Sequence, residues 1–293
     1  MLKLTRDLDA PSKNVMPIIP VDLLPDIFQN FNNDRQAIYN CVFVNRTFCR
    51  VAIRFLWQDP FGIKKSTWPF TNGRAAANII SLYLACLNYQ DGRNFLSTIK
   101  IPHQRPTFNY PQFLRYFDEQ RLYIYIRSGQ SYNNNLGELA EAYNIHSAIK
   151  KLVLRESQAL HYLLFETYIF EKMPCNLTNL RHIQFNTPSD VENVANLIRH
   201  QLFLESFIIS SLVAGLNTLF DALATQIRTL KHLEFIQCDF SRFDWANHAQ
   251  VLEGVNKLVL EGCTNLPPSM IENLSIFKEK QNCGNVWISS RNI

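Results

Sequence analysis

Apolar residues recur at helical spacing in three consecutive segments between residues 19 and 57. The stripes consist of Leu24, Ile27, Phe28 and Phe31, then Ile38, Cys41 and Val42, then Phe48, Val51, Ala52, Phe55 and Leu56. The third segment has a second apolar column at Cys49, Ile53 and Trp57. A helix that is apolar over more than half its circumference buries two faces. The pattern therefore predicts three short helices, and the third buries its second face either in the downstream chain or against another protein.

A second pattern, Leu-x-x-Leu-x-Leu with apolar substitutes, recurs later in the chain. Its clearest copies begin at Leu180, Leu204, Leu230 and Val255, and these starts differ by 24, 26 and 25 residues. Apolar residues at helical spacing fill the intervals between the copies. The period is similar to that of leucine-rich repeats, in which each unit is a strand followed by a helix. We therefore expect an α/β solenoid with parallel strands on its concave side and helices on its convex side.

Looser copies of the repeat extend it in both directions. They begin at Leu96, Ile149 and Cys283, and the wide interval after Leu96 predicts a further strand over residues 122–126. The alternative is a generic α/β domain with coincidental spacing. Four starts within two residues of one period favour the repeat.

Alternate residues of each predicted strand face the concave surface, because successive side chains of a strand point to opposite sides. Polar and apolar side chains alternate there, which suits a peptide or protein ligand. A solvated sheet face also carries such residues without any ligand. The candidate target-binding residues are Lys151, His182, Gln184, Ile208, His232, Glu234, Lys257 and Val259.

Composition and charge exclude several classes of protein. The chain of 293 residues is 47% hydrophobic and 18% charged, which is typical of a folded protein. Its formal net charge of +4 is dispersed, and its only adjacent basic pairs are Lys64-Lys65 and Lys150-Lys151, so we expect no nucleic-acid partner. The apolar run over residues 79–87 is too short to cross a bilayer, so we expect no membrane partner either.

Cysteine usage and the search for catalytic motifs point away from an enzyme. The seven cysteines include no Cys-x-x-Cys pair, which predicts reduced thiols in a cytoplasmic or nuclear protein. No phosphate-binding loop, dinucleotide fingerprint, serine-hydrolase elbow or zinc-protease motif is present, and the seven histidines lack metal-ligand spacing. We expect no catalytic residue, no metal and no cofactor.

The amino-terminal segment resembles a known motif along its whole length. It reads Ile19-Pro20-x-Asp22, Leu24-x-x-Ile27-Phe28-x-x-Phe31, Cys41-Val42-Phe43-Val44-Asn45-Arg46-x-Phe48-Cys49 and Leu56-Trp57. This order resembles an F-box, particularly those of the F-box proteins abundant in some fungi. The segment departs from the motif at Ile19, Asp22, Phe31 and Phe48, where an F-box usually has Leu, Glu, Leu and Trp.

The resemblance implies a partner and a function. An F-box binds a Skp-family adaptor and, through it, a cullin–RING ubiquitin ligase, so the expected function is substrate recognition for that ligase. The alternative is an interaction scaffold in which the F-box is a structural cap. The residues implied in adaptor binding are Ile19, Pro20, Leu24, Ile27, Phe28, Val44 and Leu56.

The resemblance also divides the chain. We expect a flexible leader over residues 1–16, the F-box over 17–60, a linker with a helical cap over 61–95, and degenerate leucine-rich repeats over 96–293.

Overall fold

The three helical patterns at the amino-terminal end form three helices in the computed structural model. Helix α1 spans Leu24–Asn30, α2 spans Arg35–Cys41 and α3 spans Arg46–Leu56. Side chains fix where two of them begin, because Asp34 accepts a hydrogen bond from the Ala37 amide at 2.9 Å and Asn45 accepts one from the Phe48 amide at 2.9 Å. The predicted helices are thus confirmed.

The structure describes residues 19–31, 34–62, 72–87, 106–132, 139–166, 177–188, 190–252, 254–272 and 286–289. The chain divides into two compact units, Met1–Leu56 and Trp57–Ile293, whereas the sequence places the boundary after residue 60. The predicted leader and the strand predicted to begin at Leu96 lie outside the described residues.

The first unit has a small core of its own. Leu24, Phe28, Ile38 and Ala52 are buried in it, and Ile27, Leu56 and other half-buried apolar residues pack around them. The Phe28 ring meets the rings of Phe48 and Phe55 edge-on, with centroids 5.9 and 5.8 Å apart. The first predicted stripe is buried at Leu24 and Phe28, half-buried at Ile27 and exposed at Phe31.

The second unit is built on a parallel sheet. The strands are β1 Tyr116–Asp118, β2 Tyr162–Phe165, β3 His182–Phe185, β4 Ser206–Ser210, β5 His232–Ile236, β6 Lys257–Glu261 and β7 Val286–Ser289. Each strand pairs in parallel with the next one along the chain. The α/β prediction is confirmed, and the strand order is compatible with a solenoid-like fold.

Helices lie between the strands or before the first of them. They are α4 Gly73–Cys86, α5 Glu119–Tyr132, α6 Leu139–Glu156, α7 Val191–Arg199, α8 Leu216–Ala224 and α9 Trp245–His248. The strands predicted after Leu180, Leu204, Leu230 and Val255 are confirmed as β3 to β6, and the helical patterns between them as α7 and α8.

Two strand predictions are wrong. Residues 149–154 lie in helix α6, and residues 122–126 lie in helix α5. Ala142, Ile145, Ile149 and Leu152 are buried at a helical spacing that the Leu-x-x-Leu pattern shares over four residues, and this periodicity prevails. Lys151 is consequently a half-buried helical residue and does not lie on the face of the sheet.

The same turn follows each of three successive strands. Ser211, Gln237 and Gly262 come directly after β4, β5 and β6 and have positive φ values of 58°, 53° and 62°. The Ser211 amide donates to the Ile236 carbonyl at 2.7 Å, and the Gln237 amide donates to the Glu261 carbonyl at 2.6 Å. These turns therefore join neighbouring repeats beyond the ends of their strands.

Buried glutamines join the repeats at the opposite end of the strands. Gln201 donates to the carbonyls of Leu177 and Leu197 at 2.6 and 2.7 Å and accepts from the Leu180 amide at 2.9 Å. Gln226, 25 residues later, donates to the carbonyls of Ile198 and Gln201 at 3.2 and 3.0 Å. Backbone groups that would otherwise be buried without partners are satisfied in this way.

Candidate interaction surfaces

The first unit carries a set of large apolar side chains that face solvent, which we call the exposed apolar group. Phe43 is 70% exposed and Val44 is 60% exposed, although both lie in a segment rich in apolar residues. The rings of Tyr39 and Phe43 contact each other edge-on with centroids 5.2 Å apart. The exposed apolar group consists of Ile19, Val21, Leu23, Phe31, Tyr39, Phe43 and Val44.

The structure separates the residues implied in adaptor binding into two sets. Ile19, Pro20 and Val44 are exposed. Leu24 and Phe28 are each only 1% exposed, and Ile27 and Leu56 are half-buried against them. The first set is available to a partner, whereas Leu24 and Phe28 hold the unit together.

Sequence reasoning missed most of the exposed apolar group as candidate site residues. Val21, Leu23, Tyr39 and Phe43 lie outside the buried stripes, and Phe31 lies at the end of one. The sequence did contain a signal for these residues. An apolar residue that lies off the predicted helical stripe should face outward, as Tyr39 does beside buried Ile38.

The second unit has a sheet face on which the remaining predicted site residues meet. Strand register places Tyr116, Tyr162, His182, Ser206, His232 and Lys257 side by side in one row. The next row on the same face contains Asp118, Leu164, Gln184, Ile208, Glu234 and Val259. All the predicted target-binding residues except Lys151 therefore lie in two adjacent rows, which we call the polar face of the sheet.

Rings and imidazoles dominate the first row. The ring centroids of Tyr116 and Tyr162 are 6.4 Å apart, and those of Tyr162 and His182 are 6.2 Å apart. Ser206 Oγ and His232 Nδ1 are hydrogen-bonded at 3.1 Å. Burial lowers the pKa of both His182 and His232, so these side chains are neutral at neutral pH.

Carboxylates gather where the first strands end. Burial raises the pKa of Asp118 and of Glu166, and the proximity of Asp118 raises the pKa of Glu166 further. Asn186 Nδ2 donates to Glu166 Oε1 at 3.3 Å, and the Arg121 amide donates to Asp118 Oδ1 at 3.0 Å. This end of the polar face therefore carries two carboxyl groups, whereas the first row contains none.

A buried ion pair lies directly beneath these carboxylates. Glu119 is 2% exposed, and its carboxylate lies 2.8 Å from Lys150 Nζ and 3.7 Å from His146 Nε2. The Glu166 amide donates to the same carboxylate at 3.1 Å. These contacts occupy both carboxylate oxygens, so Glu119 joins helix α6 to the end of strand β2.

Two further properties concern the part of the chain that the structure describes. No group of three or more His, Cys, Asp or Glu side chains in it is arranged to hold a metal ion. None of its helices is long and apolar enough to cross a membrane. Comparisons of the chain with protein-family models, with curated proteins and with solved structures found no match.

Proposed function

We propose that this chain is the substrate-recognition subunit of a Skp–cullin–F-box ubiquitin ligase. In this proposal the first unit is an F-box that binds a Skp-family adaptor through the exposed apolar group. The second unit consists of degenerate leucine-rich repeats that bind the protein to be ubiquitinated. The observation that carries the proposal is the exposed apolar group, which lies on a helical unit with a separate core.

The balance between exposed and buried apolar residues favours a partner for the first unit. Among its described residues, seven large apolar side chains are exposed, whereas five apolar residues are buried, four of them in its own core. Scattered exposed apolar residues are normal, but a concentration of them on a small unit is typical of a protein interface. Burying such side chains contributes about 25 cal/mol per Å² of apolar surface.

The polar face of the sheet is our proposed target-binding surface. It combines half-buried Ile208 and Val259 with the polar side chains of Gln184, His232 and Glu234, which is a mixture suited to a protein ligand. The chain would then accelerate ubiquitin transfer by holding the target close to the ubiquitin-charged enzyme of the ligase. The chemistry itself would belong to other subunits.

The experiment is co-expression of the full chain with a Skp-family adaptor and a cullin, followed by purification through a tag on this chain. We expect adaptor and cullin in the same eluate. The double variant Phe43→Asp/Val44→Asp should recover neither, because it places two charges in the exposed apolar group. The matched control is Phe203→Asp/Val213→Asp, which alters two residues of the second unit that are 52% and 73% exposed.

The outcomes separate the proposal from its alternative. Adaptor and cullin with the wild type and the control, but not with the Phe43→Asp/Val44→Asp variant, support a ligase subunit. Adaptor without cullin supports an interaction scaffold. Neither protein in the eluate of a folded wild-type chain contradicts the proposal and favours a structural cap. Circular dichroism of all three proteins establishes that each is folded.

A further inference from the structure

A third row of side chains lies on the same side of the sheet as the polar face. Ser210, Ile236 and Glu261 are register partners at the ends of β4, β5 and β6. Glu166 and Asn186 come directly after β2 and β3, and Asn186 Nδ2 donates to Glu166 Oε1 at 3.3 Å. The row that runs from β2 to β6 therefore has a glutamate at each end and neutral residues between them.

The polar face and the third row together contain two pairs of carboxylates. Glu166 lies two residues beyond the register partner of Asp118. Glu261 lies two residues beyond the register partner of Glu234. One strand spacing of about 4.8 Å and two residues along a strand, about 6.6 Å, place the Cα atoms of each pair about 8 Å apart. We call Asp118 and Glu166 the first carboxylate pair, and Glu234 and Glu261 the second carboxylate pair.

The described residues supply few cations to these carboxylates. Arg121 Nε lies 3.4 Å from Asp118 Oδ2, so it compensates one member of the first carboxylate pair. Glu234 Oε2 lies 3.3 Å from Nε2 of His232, which is neutral at neutral pH. No lysine or arginine of the described residues forms an ion pair with the other member of the first pair or with either member of the second pair. Three of the four carboxylates are therefore open to a cation from a ligand.

The charge of this surface is opposite in sign to that of the whole chain. Its three rows contain the four carboxylates and, among the described residues, one lysine, Lys257. The chain as a whole has a formal net charge of +4. Only 19% of the Glu234 side chain is exposed, and charges attract each other more strongly near a protein surface than in bulk water. The surface is therefore complementary to a cationic ligand.

Neutral residues separate the two carboxylate pairs. Gln184 and Asn186 belong to β3 and its end, and half-buried Ile208 and Ser210 belong to β4. Three strand spacings separate β2 from β5, which corresponds to about 14 Å. An extended chain advances roughly 3.3 Å per residue, so about four residues cover this distance. An extended ligand can therefore reach both carboxylate pairs with side chains about four positions apart.

We propose that this surface binds an extended segment of the target protein that carries two basic residues about four positions apart. One basic side chain pairs with Glu166, the other pairs with Glu234 and Glu261, and an apolar residue between them contacts Ile208. Lysine and arginine suit these positions because their long apolar stems can lie along the surface while their charged ends reach a carboxylate. This assignment rests on the proposed function and adds the chemistry of the target.

The first experiment selects peptides from a displayed library of random dodecapeptides on the immobilised full chain. We expect the selected peptides to be enriched in pairs of Lys or Arg about four positions apart. The double variant Glu166→Gln/Glu234→Gln should lose this enrichment, because it removes one charge from each carboxylate pair and keeps the size of both side chains. The matched control Asp221→Asn/Glu272→Gln neutralises two exposed carboxylates elsewhere in the second unit and should retain it.

A fluorescently labelled peptide from this selection then measures each ion pair by anisotropy. We expect Glu166→Gln and Glu234→Gln each to weaken binding about tenfold and the double variant to weaken it about a hundredfold, because the two sites are far enough apart to act independently. Glu234→Lys should prefer the peptide in which the corresponding basic residue is replaced by Glu. A substitution that acted only by distorting the sheet would not produce this reversed preference.

Adaptor binding by the same preparations separates this proposal from the ligase role. Selected peptides without paired basic residues overturn the proposal, as does equal enrichment by the Glu166→Gln/Glu234→Gln variant or a selection that yields no peptide from the folded wild type. An adaptor that still binds in those cases leaves the ligase role intact. Paired basic residues without adaptor binding support the proposal and overturn the ligase role alone.

Discussion

The buried Glu119–Lys150 pair offers a sharp test of the repeat register. Continuing the pairing of β1 and β2 by one residue places Glu119 opposite Phe165, in a row that otherwise holds Phe185, Ile209, Phe235 and Leu260. A carboxylate thus occupies a core position that is apolar in the following repeats. Lys150 compensates for it at 2.8 Å.

Removing one partner should be costly, and removing both should not. Replacing Lys150 with Met leaves a carboxylate that is 2% exposed without its ammonium group. Breaking a buried pair costs roughly 3–5 kcal/mol, and we expect the lower end, about 3 kcal/mol, because His146 and the Glu166 amide still contact the carboxylate. The free energy of unfolding of the double variant Glu119→Leu/Lys150→Met should lie within about 1 kcal/mol of the wild-type value or exceed it.

Urea unfolding followed by tryptophan fluorescence measures this effect in the second unit alone. The four tryptophans of the chain, at positions 57, 68, 245 and 287, all belong to that unit. A loss of 3 kcal/mol lowers the urea midpoint by about 1 M. An unchanged midpoint for Lys150→Met would refute the claim that the pair is desolvated. A double variant as unstable as the single one would refute the equivalence of Glu119 with the apolar positions.

Three further changes test other parts of the second unit. Gln201→Leu removes three hydrogen bonds to buried backbone groups and should cost about 2–4 kcal/mol in urea unfolding, whereas Gln120→Leu, at an exposed position, should change stability little. Burial lowers the pKa of His146 below its usual value of 6.5. The folded chain should therefore lose stability as the pH falls below 6.5, because the unfolded chain then takes up a proton that the folded chain does not. Urea midpoints measured from pH 7.5 to about 5.5 should fall more for the wild type than for His146→Gln. Gly215→Ala should lower the Tm, because Gly215 has a φ of 89° and an added Cβ would lie 2.9 Å from Val191 Cγ1.

The middle of the sheet could be predicted from the sequence because each of its strands fills every position of the repeat pattern. Strand β2 was also detectable, since Leu160, Leu163 and Phe165 match the pattern and begin 20 residues before Leu180, within the range of repeat lengths. The competing match at Ile149 belongs to a helix. Strand β1 is hidden because the third position of its copy, after Leu114 and Phe117, is Glu119.

The surfaces could be predicted less completely than the core. A periodic stripe identifies which side chains face inward, so Leu24 and Phe28 were found but were not distinguished from exposed residues such as Val44. Phe43 was not singled out, because periodicity does not reveal that an apolar residue has nothing to pack against.

The most direct measurement is a calorimetric titration of a purified Skp-family adaptor into the full chain and two variants. Phe43→Ala removes a ring from the exposed apolar group, and Phe203→Ala removes an exposed ring from the second unit. We expect the wild type and Phe203→Ala to bind the adaptor equally, and Phe43→Ala to bind at least about tenfold more weakly, with an unchanged urea midpoint. No binding by the folded wild type, or equal binding by all three, would contradict the proposed role of the first unit.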